Sequence, residues 1–187
     1  MPLVDAALDA RFPGRSLRRA KDPVGLAAAW AALEYTWSAT VERANAMPAG
    51  TLDASVDGEW SFVQTLRHLV MATDTWLGRA ILAREKPYHP AGLADDSSSN
   101  AYDDSEFSAK APTLSEVLEA RADRQAMVRD YLAGLTPDTL AKPRRNPHDP
   151  AFPETVRSCL LTILEEEWEH LRYAVRDLDA LDPALVP

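Results

Sequence analysis

The sequence predicts an all-α fold, a four-helix bundle with a long crossover between its second and third helices. Three observations predict it. Glycine is scarce, seven in 187 residues, and long stretches lack proline too, which helices tolerate better than a turn-rich sheet protein does. Apolar residues recur at spacings of three and four through four long segments. Helix-start signals stand at the head of three of those segments.

A short helix is predicted over Leu3 to Phe12, closed by Pro13-Gly14. Asp22-Pro23 then opens the first long helix, with Asp as N-cap and Pro at the first helical position. It carries the stripe Leu26, Trp30, Leu33, Trp37, Val41 and runs to about Met47, where Pro48 stops it. Ser61 and Gln64 form a capping box for the second helix, whose stripe is Phe62, Leu66, Leu69, Thr73, Leu77, Ala80. Its charges, Arg67 and Asp74, share a separate face. Residues 86–112, with Pro87, Pro90, Gly92 and the polar run DDSSSN, read as an irregular crossover. A connection that long is uncommon in a compact domain and is often functional.

Thr113 and Glu116 cap the third helix, which runs to about Ala133 and ends at Gly134. Thr136-Pro137 starts a short turn, followed by the loop KPRRNPHDPAFP. The fourth helix is predicted from about Glu154 to Leu181, stopping before Pro183. No strand pair, internal repeat or glycine-rich phosphate loop is predicted. Residues 1–187 read as one domain, with a core over 22–181 and an N-terminal extension over 1–21.

The formal net charge is −9. An acidic domain gains nothing from counterion release, so neither nucleic acid nor an anionic membrane surface is expected as a partner. A single cysteine, Cys159, cannot form an internal disulfide. No apolar run reaches the ~18 residues of a membrane span. The N-terminus, with its early acid, does not read as a secretory signal, which leaves the cytoplasm as the expected location.

The run Leu164-Glu165-Glu166-Glu167-Trp168-Glu169-His170 falls in the middle of the fourth helix. Such a run often means a solvated acidic face. Three consecutive helical residues sweep 200°, however, so at least one of these carboxylates must turn toward the bundle, where it needs a partner or a cation. On the helical wheel Glu167 lies nearest the centre of the apolar stripe, while Glu166 and His170 sit at its margin. Those two are separated by about 6 Å along the axis, so both can reach one ion. His68, mid-way along the second helix with no charged neighbour one turn away, is a third candidate ligand; by itself it reads as a hydrogen-bonded core histidine. Two histidines and a carboxylate leave coordination positions open, as in catalytic zinc sites and two-His-one-carboxylate iron sites.

GEWSFVQTLRHLVMATDTWL, followed about 100 residues later by LLTILEEEWEHLRYAVRDLDAL, resembles the DinB superfamily of metal-binding four-helix bundles, and in particular the branch that includes mycothiol-dependent maleylpyruvate isomerase. The resemblance spans most of the chain. It implies that a histidine of the second helix and an i, i+4 pair in the last long helix bind a divalent metal, zinc or nickel. That branch has glutamate at the first position of the pair. Carried over, the ligands are His68, Glu166 and His170, with Glu166 in place of the Glu167 that the wheel favours.

The resemblance further implies a small-molecule substrate, a low-molecular-weight thiol of the mycothiol type as cofactor, and a homodimer. A thiol S-transferase or isomerase is the leading expectation. The isomerase has an additional C-terminal domain not present in these 187 residues, which weighs against isomerisation itself. The alternatives are a metal-dependent hydrolase, with Glu167 or Glu165 as base beside metal-bound water, and a non-enzymatic metal-binding or stress-response module. A thiol enzyme wants cations for its cofactor's carboxylates; Arg67, Arg172 and Arg176 are near in sequence but read as outward-facing. His89 and His148 read as loop residues, although either loop could close over the bundle end. Cys159 reads as a small core residue, and Trp30, Trp37, Trp76 and Trp168 as core. Trp60, before the second helix, reads as a staple or as part of the site mouth.

Overall fold

The computed structural model of the chain describes residues 2–94 and 102–182. Helix α1 (Pro2–Arg11) leads into a 3-10 segment (Pro13–Arg19), so the chain past Pro13 stays helical in a tighter form. Helix α2 (Pro23–Asn45) begins where expected. Asp22 accepts a hydrogen bond from the Gly25 N–H at 2.8 Å, satisfying one of the free donors of the first turn.

Helix α3 (Phe62–Thr73) has its full capping box, with Ser61 bonded to the Gln64 backbone and Gln64 reaching back. Its second half is not the uniform α-helix the sequence predicts. From Asp74 to Ile81 the backbone widens into a π-helical segment. The Thr73 and Thr75 hydroxyls bond back to the Leu69 and Met71 carbonyls, each at 2.9 Å, at the point where the ladder changes. Such widening re-aims side chains and is frequent at functional sites.

Helix α4 (Leu114–Ala133) carries its capping box as well. The turn α5 (Pro137–Leu140) precedes an element the sequence did not predict. Strands β1 (Pro143–Arg145) and β2 (Pro153–Thr155) pair antiparallel, with Arg144 opposite Glu154. Strands of three residues, each starting with proline, have no alternation to read. Helix α6 (Val156–Leu181) follows directly, capped by Thr155 with Ser158. The polar run DDSSSN and Pro183 lie outside the described residues.

Among the four long helices, the principal packings are α2 on α4 and α6, and α3 on α4 and α6. Consecutive helices α2 and α3 therefore sit diagonally, as do α4 and α6. The space between is filled by Leu26, Leu33, Trp37, Leu66, Leu69, Ile163, Trp168 and Leu171, each almost wholly buried.

Two ion pairs anchored on α4 cross this interior. Arg121 grips Glu167 of α6 in a bidentate pair at 2.6 and 2.8 Å, with side chains 5% and 1% exposed. The Arg121 guanidinium also lies over the Trp37 ring at 5.6 Å. One turn on, Arg124 holds Asp74 at 2.8 and 3.1 Å. Asp74 also accepts the His89 backbone N–H at 2.9 Å, and Arg67 donates to the Ala91 and Gly92 carbonyls, both at 3.1 Å. Arg67 and Asp74, the separate charged face expected of the second helix, thus fasten the start of the crossover.

Breaking the diagonal pair leaves one charge buried without a partner. Glu167→Gln should lower stability by ~3–5 kcal/mol, whereas Arg121→Met with Glu167→Leu should cost far less. Urea unfolding of the two variants beside wild type checks this, and equal losses would contradict it.

Candidate metal centre

His68 is placed by α3, and Glu166 and His170 by α6. The two helices pack side by side, so the three side chains converge. Their ligand atoms all lie within 4.8 Å of one another. His68 Nε2 stands 3.4 Å from Glu166 Oε2. Two donors bonded to one zinc ion at the tetrahedral angle are separated by about 3.4 Å, so this edge of the triangle already has the spacing an ion requires. The imidazoles of His68 and His170 stack with centroids 4.5 Å apart.

The donor chemistry fits a divalent ion. His170 Nδ1 lies 2.8 Å from the Glu166 backbone carbonyl. A carbonyl only accepts, so Nδ1 carries the proton and Nε2 keeps its lone pair for a ligand. His68 is buried, and its Nδ1 has no hydrogen-bond partner among the described residues. Hydrogen bonds therefore satisfy only one side of this buried ring, the Nε2 that meets Glu166. Burial acts to raise the Glu166 pKa, but the bond from His68 and the charges of His170, His68 and His148 outweigh it and hold the carboxyl below its usual range. Burial, reinforced by His68, pushes His170 down, which favours the neutral imidazole that metals bind.

The trio lines a cavity of about 320 Å³, with Trp60, Met71, Ala72, Thr75, Trp76, Tyr102 and His148 forming the rest of its wall. A family model described as DinB superfamily matches residues 32–174. This chain belongs to the DinB superfamily. None of the curated proteins or solved structures compared matches it. The match spans α3 and α4 whole, the larger part of α2 and of α6, and the three residues of the trio.

This DinB chain departs from the sequence reading at several side chains. Glu167 is not a base beside a metal, because both its oxygens are committed to Arg121 in the core. The other candidate base, Glu165, faces Arg18 at 3.3 Å. His148, read as a loop residue, lines the cavity: its ring lies 5.6 Å from that of Trp76, and its Nδ1 is 3.5 Å from the Tyr102 hydroxyl. The β1–β2 hairpin delivers it, with Asn146 Oδ1 accepting the His148 backbone N–H at 2.9 Å. Burial and the nearby Arg79 push His148 below the usual histidine range.

His89 remains a loop residue, its Nδ1 accepting the Ala91 N–H at 3.1 Å. Trp60 belongs to the site mouth, with its ring 4.7 Å from His68 and 6.2 Å from His170. Cys159 is fully buried, and burial pushes its thiol up to about 11, so it is no nucleophile.

The lowered pKa of His170 has a stability consequence in metal-free protein. The unfolded chain takes up its proton first, so stability falls as pH drops from about 6.5 toward the lower folded value. Urea titrations of EDTA-treated protein at several pH values should show that loss, and His170→Gln should make it shallower. An unchanged slope in the variant would remove His170 from the account.

Proposed function

We propose that this protein is a metal-dependent enzyme that activates a low-molecular-weight thiol for attack on a small electrophile, with His68, Glu166 and His170 as metal ligands. The observation that carries the reading is the three-donor cluster at the wall of a cavity of about 320 Å³. Three protein donors leave coordination open on the cavity side. A divalent ion, zinc or nickel by its nitrogen and oxygen donors, would supply there a Lewis acid that favours thiolate over thiol.

The remaining work falls to side chains. His148, with a lowered pKa, is neutral near pH 7 and can accept the thiol proton. Trp60 and Trp76 supply the apolar part of the wall beside the trio. Thiol cofactors commonly carry carboxylates, and a second cavity of about 560 Å³ beside the hairpin offers Arg79, Arg144 and Arg145. Arg67, Arg172 and Arg176 do not line that cavity; they bond to crossover carbonyls, Glu169 and Asp177 respectively. A metal-dependent hydrolase, for which the ion would supply a Lewis acid toward water, is the second reading, with His148 facing the cavity as the group that takes the proton.

Metal analysis after loading with zinc or nickel should give stoichiometric metal in wild type and only traces in His68→Ala and His170→Ala. Retention in both variants would sink the site. His148→Ala should keep its metal and lose ~100-fold in turnover. A model electrophile assayed with thiol, beside a model ester without it, separates the two chemistries.

A further inference from the structure

A third depression, of about 710 Å³, opens on α6 beside the N-terminal segment, about 100° around the helix from Glu166. Its floor comes from α6, and its rim from the 3-10 segment and the chain after it, which precede the family-matched residues 32–174. It gathers the cations Arg15, Arg18, Arg19, Lys21, Arg157 and Arg172, against the two carboxylates Glu165 and Glu169, on a chain of net charge −9. Grouping like charges is costly unless anions answer them.

Part of the cluster is answered within the protein. Asp9 bonds Arg15 and Arg18 at 2.7 and 3.0 Å, Glu169 bonds Arg172 at 2.8 Å and approaches Arg15 at 3.3 Å, and Glu165 approaches Arg18 at 3.3 Å. Those pairs explain how the N-terminal segment docks on α6. They do not explain Arg157 or Lys21. Arg157 has its Nε buried with no hydrogen-bond partner, and neither residue makes an ion pair among the described residues. A guanidinium nitrogen hidden from water and left unbonded is expensive.

We infer that this depression is a binding site for a small polyanion bearing phosphate or clustered carboxylate groups, with Arg157 and Lys21 as its direct contacts. Arginine pairs bidentately with such groups, and the volume suits a metabolite-sized ligand. The ion pairs of the buried Arg15 and Arg18 with their more exposed partners hold the cationic wall in place before the ligand arrives. The site is independent of the metal reading, since no ligand of the trio lines it.

The probe is inorganic pyrophosphate, titrated by calorimetry into EDTA-treated full-length protein at low ionic strength. The expected result is one-to-one binding that weakens with salt. Arg157→Gln and Lys21→Gln should each weaken it about tenfold, while Arg84→Gln, at an exposed arginine that lines none of these cavities, should leave it unchanged. Lys21 is exposed, so its variant decides the matter even where Arg157→Gln disturbs the fold. Absence of binding at millimolar pyrophosphate, or binding indifferent to both variants, overturns the inference. Vesicles of phosphatidylcholine with one-fifth phosphatidic acid form the other arm: binding to them without binding to pyrophosphate overturns the small soluble ligand in favour of a lipid headgroup.

Discussion

The rotation of α6 about its axis depends on one buried ion pair. Glu167 is drawn across the bundle to Arg121, and a carboxylate so deeply enclosed has no other stable position. Once Glu167 is fixed, the 100° step of the helix assigns the rest. Glu166 and, one turn later, His170 must face α3, where His68 meets them. Glu165 and Glu169 must face the N-terminal segment, where Arg18 and Arg15 meet them. Three consecutive glutamates thus occupy three electrostatic environments: a polar cluster suited to a cation, the interior of the bundle, and a cationic surface.

That arrangement explains which parts were legible in the sequence. Helices α2, α3, α4 and α6 were legible because their apolar spacing and caps are local signals, and the caps at Asp22, Ser61 and Thr113 formed as read. The swept angle of the glutamate run required one carboxylate to turn inward, and the wheel pointed to Glu167. What the wheel could not supply was the partner. Arg121 lies 46 residues away on a helix whose own pattern gives no sign of a buried guanidinium. Without Arg121, an inward Glu167 looked like a ligand or base. With it, the carboxylate is satisfied, and the neighbour at the stripe's margin is the one facing the histidines.

The features that were missed share a cause, which is that each is fixed by contacts distant in sequence. The π-helical segment is set by Asp74 reaching Arg124 and the crossover, and the residues 71–76 around its start include four of the cavity wall. The β1–β2 hairpin rests on three-residue strands that carry no periodicity, yet it is what brings His148 to the cavity. A histidine in an NPHDP loop shows nothing of this until the hairpin closes. The 3-10 segment likewise became informative only when docked, because its arginines gain meaning from the acids of α6.

The same helix therefore serves two surfaces with opposite electrostatic demands, and the chain keeps them apart by geometry. The trio collects donors that favour a cation, while the depression a third of a turn away collects cations. Such neighbours would weaken each other through a low-dielectric core if their charges were uncompensated. Glu165 and Glu169 lie between them in sequence and in angle, and each is paired to an arginine on the cationic side. They neutralise part of the positive potential before it reaches Glu166 and His170. The acidic run that first reads as a solvated face is better understood as a layered one, with its outer carboxylates shielding Glu166 and His170 from the arginines that anchor the N-terminal segment.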